Sequence, residues 1–192
     1  GLKVVQLSMG YSPELTLAHI KDIGAALDRS TEAEALTAIL AQDLATIQAE
    51  IAKTKSKPKV LFLLNAGQGA SMAGGRGTAA DAMIALAGGV NAAAEIHGYK
   101  PISPEAAIVA QPEILMMMSQ TVEALGGKDA VLTLPGLAEL PAVRNKRLLV
   151  LDGLYSLGFG PRLAHAVRDM AADFHPETNF LPLPEREWTK AQ

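Results

Sequence analysis

The stretch NAGQGASMAGGRGTAADAMIALAGGVNAAAE, residues 65–95, joins a glycine-rich loop to an alanine-rich helix and decides which fold the chain can adopt. It follows an apolar strand, KVLFLL at 59–64, which is the context in which a phosphate-binding loop occurs. The spacing argues against such a loop, because no Lys follows the glycines and Met72 stands where a dinucleotide fingerprint needs its third Gly. We therefore predict a loop whose backbone passes close to a ligand or a neighbouring element, with Met72 and Arg76 as its projecting side chains.

The rest of the chain after Pro58 alternates apolar strands with helices. Buried apolar strands in this alternation favour a mainly parallel sheet with helices on both faces. The predicted fold class is therefore α/β, with a three-layer lobe. The strands are expected at 59–64, 112–118 and 147–152, and the helices at 77–88, 103–110 and 160–175.

The residues before Pro58 predict a strand at 2–8 and two helices. Ser12 and Pro13 begin the first helix, which runs to about Leu27. The second helix is capped by Thr31, ends in the basic run KTKSKPK and is long enough to act as a strut outside the core. Its apolar stripe has the three- and four-residue spacing of one helix face and consists of Leu36, Leu40, Leu44, Ile47 and Ile51.

Composition excludes several classes of function. The chain has 192 residues, a formal net charge of −3, 4% aromatic residues and no cysteine. A nucleic-acid binder usually shows a basic patch and stacking aromatics, and a thiolate enzyme or a cysteine-ligated metal site needs Cys. The four histidines form no metal-binding spacing, and no nucleophile–base pair is evident, so the chain is not expected to be an enzyme.

A second segment, DGLYSLGFGPR at 152–162, follows a predicted strand and carries Tyr155, Phe159 and Arg162. Two aromatic rings and a cation at the carboxyl end of a sheet strand are typical of a cleft wall. The alternative, a purely structural loop, stays open from these residues alone.

Together the segments GTAADAMI, GYKPIS and LYSLGFGPR resemble bacterial periplasmic haemin-binding proteins, the substrate-binding components of haem ABC importers. These share the class III periplasmic-binding-protein fold with vitamin B12- and siderophore-binding proteins. The resemblance implies two lobes joined by a long helix, with haem between them. It also implies that most of the amino-terminal lobe, with the tyrosine that ligates the iron, is missing from this sequence, so no metal ligand is expected here. The implied divisions are 1–30 (remnant of the amino-terminal lobe), 31–57 (bridging helix), 58–175 (carboxyl-terminal lobe) and 176–192 (irregular tail).

The resemblance also implies a ligand-binding wall and a docking residue. Arg76 or Arg162 is expected to pair with haem propionates, and Glu105 is expected to dock on an inner-membrane permease. Haem enters as the transported ligand, and nucleic acid is not expected as a partner. The expected ligand-binding residues are Asn65, Gln68, Met72, Arg76, Tyr155, Phe159 and Arg162.

The resemblance places the protein in the periplasm, or outside the cell on a lipid anchor, although no signal peptide is recognised in this sequence. Apolar surface exposed without a full amino-terminal lobe predicts a dimer or a larger assembly. The alternatives are a ferric siderophore or a corrinoid as the ligand. An α/β hydrolase or a nucleotide-binding domain is a less favoured alternative.

Overall fold

The computed structural model describes residues 4–67 and 71–189. Six strands form one sheet, and helices cover both of its faces. The strands are β1 (Lys59–Asn65), β2 (Ser71–Gly74), β3 (Val90–Asn91), β4 (Tyr99–Ile102), β5 (Ile114–Met118) and β6 (Leu148–Leu151). The helices are α1 (Pro13–Ala26), α2 (Ser30–Ile51), α3 (Ala79–Leu86), α4 (Pro104–Ala110), α5 (Ser119–Ala124), α6 (Lys128–Leu132), α7 (Pro141–Arg144), α8 (Gly153–Leu157) and α9 (Leu163–Phe174).

The segment before α1 is not a strand. Residues 4–12 have no regular secondary structure, and none of the strands in the described part of the chain pairs with them. A strand needs a neighbouring strand as its hydrogen-bonding partner, and this segment has none among the described residues. Its side chains are not buried against the sheet either, because Val4 is 84% and Met9 92% exposed. The strand predicted at 2–8 is therefore wrong over its described residues.

Helix α1 begins and ends as the sequence predicts. Ser12 Oγ accepts a hydrogen bond from the Leu15 amide at 3.2 Å, which satisfies a free donor of the first turn. Pro13 occupies the first helical position, and the helix gives way to a turn at Leu27.

Helix α2 differs from its prediction at both ends. It begins at Ser30, so Thr31 lies inside the helix and does not cap it. It ends at Ile51, because the Thr54 amide and hydroxyl both bond the Ile51 carbonyl, at 3.0 and 2.8 Å, and turn the chain. The basic run of the sequence therefore lies beyond the helix instead of forming its last turn.

The second half of α2 is part of the core. Leu40 and Ile47 are each 1% exposed, and this half packs against α9. Leu36 is half-buried, whereas the other four residues of the predicted stripe are buried. The idea of a strut outside the core is wrong for this half, although the division of the chain into lobe remnant, bridge and lobe stays a prediction.

The sheet is mainly parallel in its centre and antiparallel at one side. Its order is β4-β2-β1-β5-β6, with β3 paired to β1. Strands β1, β5 and β6 pair in parallel, as predicted, and the short β3, for which no strand was predicted, pairs in parallel with β1. Strand β2 pairs antiparallel to β1 and β4. Strand β2 lies inside the predicted glycine-rich loop, and β4 lies at residues for which no strand was predicted.

Side chains of β1 alternate between two cores. Val60 and Phe62 pack with α2, α3 and α9, while Leu61 and Leu63 pack with the layer that contains α4 to α7. This alternation confirms the three-layer α/β fold. The closing helix α9 begins at Leu163, later than predicted, because residues 158–162 form the turn that follows α8.

The tail after α9 is mostly irregular, as predicted, apart from a short 3-10 helix at Glu187–Thr189. It is nevertheless held to the lobe. Arg186 pairs with the buried Asp43 of α2 at 3.1 Å, and Phe180 is 3% exposed in the core.

Candidate functional site

The carboxyl ends of the three long parallel strands meet at one edge of the sheet. Asn65 ends β1, Met118 ends β5, and Asp152 follows β6. Ligands of α/β sheets bind outside such an edge, where loops leave the strands. The two segments that the sequence singles out, at 65–76 and 152–162, both begin here.

The first segment starts with a side chain that organises the backbone. Asn65 Oδ1 accepts a hydrogen bond from the Met72 amide at 3.0 Å, across an irregularity in the β1–β2 pairing. Met72 is half-buried next to it. Their contact with a ligand stays a prediction, and Gln68 lies outside the described residues.

Arg76 is placed by its main chain. Its amide donates to the Ile96 carbonyl at 2.7 Å, and its carbonyl accepts from the Gly98 amide at 2.9 Å. Gly75 makes this approach possible, because a Cβ there would clash with the Ile96 carbonyl. The Arg76 side chain is exposed.

A buried polar network lies under this turn. Asn91 Nδ2 donates to the Gly74 carbonyl at 3.0 Å and to Asp81 Oδ1 at 2.9 Å. Asp81 Oδ2 accepts from the Gly77 amide at 3.0 Å. The backbone on both sides of Arg76 is therefore fixed by hydrogen bonds.

The second segment holds Tyr155 at two points. Asp152 caps α8 and accepts from the Tyr155 amide at 2.7 Å, and the Tyr155 hydroxyl donates to Asp169 Oδ2, also at 2.7 Å. Burial raises the pKa of the Tyr155 phenol, and its hydrogen bond to Asp169 raises the pKa further. The Arg162 guanidinium lies over the ring, 5.3 Å from its centroid.

Phe159 connects this segment to the other side of the site. Its φ of 45° lies in the left-handed region, which is strained for a residue with a Cβ. Its ring contacts Tyr11 at a centroid distance of 5.4 Å. Burial raises the pKa of Tyr99, and the nearby Tyr11 raises it further.

The predicted residues thus form two groups. Asn65, Met72 and Arg76 lie along β1 and β2, and Tyr155, Phe159 and Arg162 lie around α8. No hydrogen bond, ion pair or ring contact joins the groups directly within residues 4–67 and 71–189. Sequence reasoning missed the residues that support them, Tyr11, Tyr99 and Asp169, because their contacts join distant parts of the chain.

Five of the seven arginines are held by other groups, and two are not. Within the described residues, Arg76 and Arg162 have no hydrogen bond or ion pair from their guanidinium groups. The other five bond a carboxylate or a backbone carbonyl: Arg29 to Glu32, Arg144 to Glu139, Arg147 to Asp173, Arg168 to Asp169 and Arg186 to Asp43. The two arginines that the sequence selects are therefore the two whose guanidinium groups have no such partner in the described part of the chain.

Several cavities border the region. One of about 200 Å³ is lined by Leu154, Tyr155, Gly158, Gly160, Pro161 and Arg162. Another, of about 460 Å³, lies on the α4 side of the sheet and is lined by Leu63, Pro101, Pro104 and Leu134 among others. None of the predicted binding residues that the structure describes lines the second cavity.

Glu105 lies apart from both groups, in the first turn of α4. Ser103 caps this helix, with its Oγ accepting from the Ala106 amide at 3.2 Å. A backbone hydrogen bond lowers the pKa of the Glu105 carboxyl, and Ser103 lowers it further. The exposed carboxylate is therefore charged at neutral pH.

Residues 4–67 and 71–189 show neither a metal-binding cluster nor a membrane-spanning helix. No group of three or more His, Asp or Glu side chains in them is arranged to hold a metal ion. No helix in them has the length and apolar character needed to cross a membrane.

Comparison with known proteins gives a family and several relatives. A family model described as "Periplasmic binding protein" matches residues 6–154. An uncharacterized ABC transporter substrate-binding lipoprotein, YvrC of Bacillus subtilis (strain 168), is 28% identical over 180 residues, which is 93% of this chain and 55% of that protein. The chain thus spans about half the length of this curated relative.

Two solved structures are more similar. The periplasmic heme-binding protein RhuT from Roseiflexus sp. RS-1, in apo form, is 39% identical with a TM-score of 0.81, over 86% of this chain and 64% of that one. The periplasmic heme-binding protein BhuT, in complex with two hemes, is 33% identical with a TM-score of 0.87, over 92% of this chain and 67% of that one. About a third of each of these proteins has no counterpart in this chain.

Proposed function

The chain belongs to the periplasmic binding protein family, and from this premise we propose that it binds haem and delivers it to an ABC-type importer. Similarity to two heme-binding proteins over most of the chain supports the ligand. The role is transport and not catalysis. The Asp carboxylates near the site are occupied by backbone amides, Tyr155 or arginines, which leaves none of them next to a free nucleophile.

The observation that carries the proposal is the pair of free arginines beside exposed aromatic rings. Haem is a flat apolar macrocycle with two carboxylates, so it needs an apolar face and cations at its rim. Arg76 and Arg162 supply the cations, and Tyr11, Phe159 and Tyr99 supply apolar surface. Arg fits a carboxylate well because its guanidinium donates two parallel hydrogen bonds.

A haemin titration followed by Soret absorbance tests this proposal. Arg76→Gln and Arg162→Gln are each expected to weaken haemin binding about tenfold, the size of a charge-assisted hydrogen bond. Arg144→Gln is the matched control, because Arg144 already pairs with Glu139 and lies outside both groups. Haemin dimethyl ester, which lacks the carboxylates, should bind equally to all four proteins. If both arginine variants bind haemin like the unchanged protein, the proposed propionate contacts are wrong.

The same titration separates the alternative ligands. A ferric hydroxamate siderophore and a corrinoid are added as competitors of haemin. Neither should displace it at equal concentration, since neither offers a flat face flanked by two carboxylates. If either compound displaces haemin at equal concentration, so that the protein does not prefer haemin, that compound is the better candidate for the ligand.

Delivery to a permease rests on the family and on Glu105. An exposed carboxylate at a helix end can also serve its own helix, stabilising it by roughly 0.3–1 kcal/mol without a partner. In the full-length protein, Glu105→Arg should block haem uptake and leave haemin affinity unchanged. Normal uptake by this variant would exclude docking through Glu105. We place the protein in the periplasm, or outside the membrane on a lipid anchor, as the names of its family and curated relative suggest.

We also propose self-association of this chain through its amino end. Val4, Met9 and Leu27 are 84%, 92% and 67% exposed, and apolar groups this exposed favour association. Light scattering should give a mass of two or more chains. A single-chain mass at millimolar concentration would contradict this proposal.

A further inference from the structure

We propose that Asp169 is a positioning residue for the ligand site, which acts through Tyr155 to hold the Arg162 guanidinium ready for a ligand carboxylate. The proposal rests on the proposed function and adds a specific residue to it. Asp169 is absent from the residues that the sequence singles out for binding, and it does not reach the ligand itself.

Tyr155 is held at its backbone amide and at its hydroxyl. Its backbone amide donates to Asp152, and its hydroxyl donates to Asp169, each at 2.7 Å. A ring held at two points has lost its rotational freedom before the ligand arrives. The loss of conformational entropy of this ring therefore occurs during folding, so it does not reduce the affinity for the ligand.

The ring in turn gives Arg162 its place. The guanidinium carbon lies 5.3 Å from the ring centroid, and the guanidinium has no hydrogen-bonding partner in the described part of the chain. Cation–π attraction keeps the group over the ring while its N–H donors stay free. A carboxylate ligand can then take these donors without displacing another partner.

The helix geometry keeps Asp169 from neutralising Arg162. The two residues are seven positions apart at the start and in the middle of α9, roughly 10 Å along the axis, which is too far for an ion pair. Tyr155 bridges this gap. Asp169 is instead neutralised by its neighbour Arg168, whose NH1 lies 2.9 Å from Oδ1.

Arg168 also anchors this assembly to the tail. Its NH2 donates to the Phe180 carbonyl at 3.1 Å, and Phe180 is buried in the core. Both oxygens of Asp169 therefore have fixed donors, one from Tyr155 and one from Arg168. The Tyr155 hydroxyl and both Asp169 oxygens are satisfied, which holds this part of the network in place, while Arg168 Nε is buried with no partner among the described residues.

The first measurement needs no ligand. Ring currents of Tyr155 shift the side-chain proton resonances of Arg162, which NMR of arginine-labelled protein detects. In Asp169→Ala this shift should shrink, and the Tyr155 phenol should lose its proton at lower pH in an ultraviolet titration. Asp169→Asn keeps an acceptor for the hydroxyl and should restore the ring-current shift. Asp173→Ala is the matched control, because Asp173 is on the same helix and has no bond to Tyr155.

The second measurement uses haemin and its dimethyl ester. Asp169→Ala should weaken haemin binding about fivefold, as expected when an oriented cation–π contact is loosened, and should leave the ester unchanged. Asp169→Asn should bind haemin within about twofold of the unchanged protein, since it preserves the acceptor. An unchanged ring-current shift in Asp169→Ala, or equal losses for haemin and the ester, would overturn the positioning role. Failure of the unchanged protein to bind haemin would reject the proposed function, and the ring-current result would still decide the role of Asp169.

Discussion

Arg76 and Arg162 both lack a hydrogen bond or ion pair to the guanidinium group among the described residues, but the molecule positions them by different means. Main-chain hydrogen bonds to Ile96 and Gly98 hold Arg76, whose side chain is free. Side chains hold Arg162, through the Tyr155 ring and the carboxylate behind it. The comparison indicates that the Arg76 region depends on backbone geometry, whereas the Arg162 region depends on the identity of several side chains.

This difference determines which substitutions matter in each region. A side-chain change at Arg76 should alter binding and leave folding intact, whereas a change in the glycine before it should alter folding. Around Arg162, small side-chain changes should shift local conformation at little cost to stability. Four substitutions test this contrast, in order of the expected effect.

Gly75→Ala should destabilise the protein most, by about 3 kcal/mol, because overpacking against backbone has no cheap relief. The new Cβ would meet the Ile96 carbonyl and also its Cβ, so two backbone segments would have to separate. Urea unfolding measures the change in the free energy of unfolding. Gly160→Ala is the control, since no atom lies within 4 Å of a Cβ there, and it should change stability by less than about 0.5 kcal/mol. Equal losses in the two variants would show that the Gly75 turn is adaptable.

Asn91→Ala should cost about 2 kcal/mol, because it leaves buried polar groups without partners. Asn91 is 8% exposed and bonds the Gly74 carbonyl, Asp81 and the Ala93 amide. Hydrogen exchange should also speed up at the Arg76 and Gly77 amides, since the network beneath them is lost. Asn179→Ala, at an exposed position of the tail, should leave both quantities unchanged. Unchanged exchange in Asn91→Ala would mean that the network does not support the turn.

Phe159 allows a test of strain that is independent of its ring. A protein with Ala at a regular backbone position is normally more stable than one with Gly there, by about 1 kcal/mol. At a left-handed φ, however, a residue with a Cβ destabilises the protein by about 1–2 kcal/mol. At φ 45° we therefore expect Phe159→Gly to match or exceed Phe159→Ala in the free energy of unfolding. Leu154 in α8 is 77% exposed and supplies the control pair, in which Ala should be the more stable. The same order at both positions would show that Phe159 adopts ordinary φ values in solution.

The sequence predicts those parts of the fold whose causes are local. Ser12 and Ser103 cap helices as expected, because a cap needs only residues within one turn. The parallel strands follow from their apolar runs. Strands β2, β3 and β4 escape prediction because each is only two to four residues long, SMAG contains a Gly and Pro101 interrupts YKPI.

The candidate site shows the same limit. Arg76 and Arg162 can be selected from sequence, because each projects from a glycine-rich loop after a strand. Their freedom from ion pairs cannot be predicted, since it depends on where every carboxylate of the fold lies. Asp169 is missed for that reason, as its link to Tyr155 spans 14 positions and two helices.

A substitution at Asp173 has the smallest expected effect. It tests whether charge or packing determines how the carboxylates near Arg162 contribute to stability. Burial raises the pKa of the Asp173 carboxyl above its usual 3.8, and the nearby Asp169 raises it further. The folded state therefore binds this proton more tightly than the unfolded state, and the resulting stability is present at low pH and lost as the pH rises through the folded-state pKa. Asp173→Asn removes the charge, so it should stabilise the protein at pH 7, by less than about 1 kcal/mol because the half-exposed group is screened by solvent.

This gain should fade as the pH falls towards 3.5, where the unchanged protein carries a protonated Asp173. Urea unfolding of both proteins at the two pH values measures the difference. A gain that is the same at both pH values would assign the effect to packing around the α9 carboxylates instead of to their charge. A loss of stability at pH 7 would mean that Arg147 and Lys128, which lower the pKa of this carboxyl, outweigh Asp169 and burial. In that case the negative charge at Asp173 would belong to the supports of the Arg162 region, and the side-chain network there would extend one turn further along α9 than Asp169.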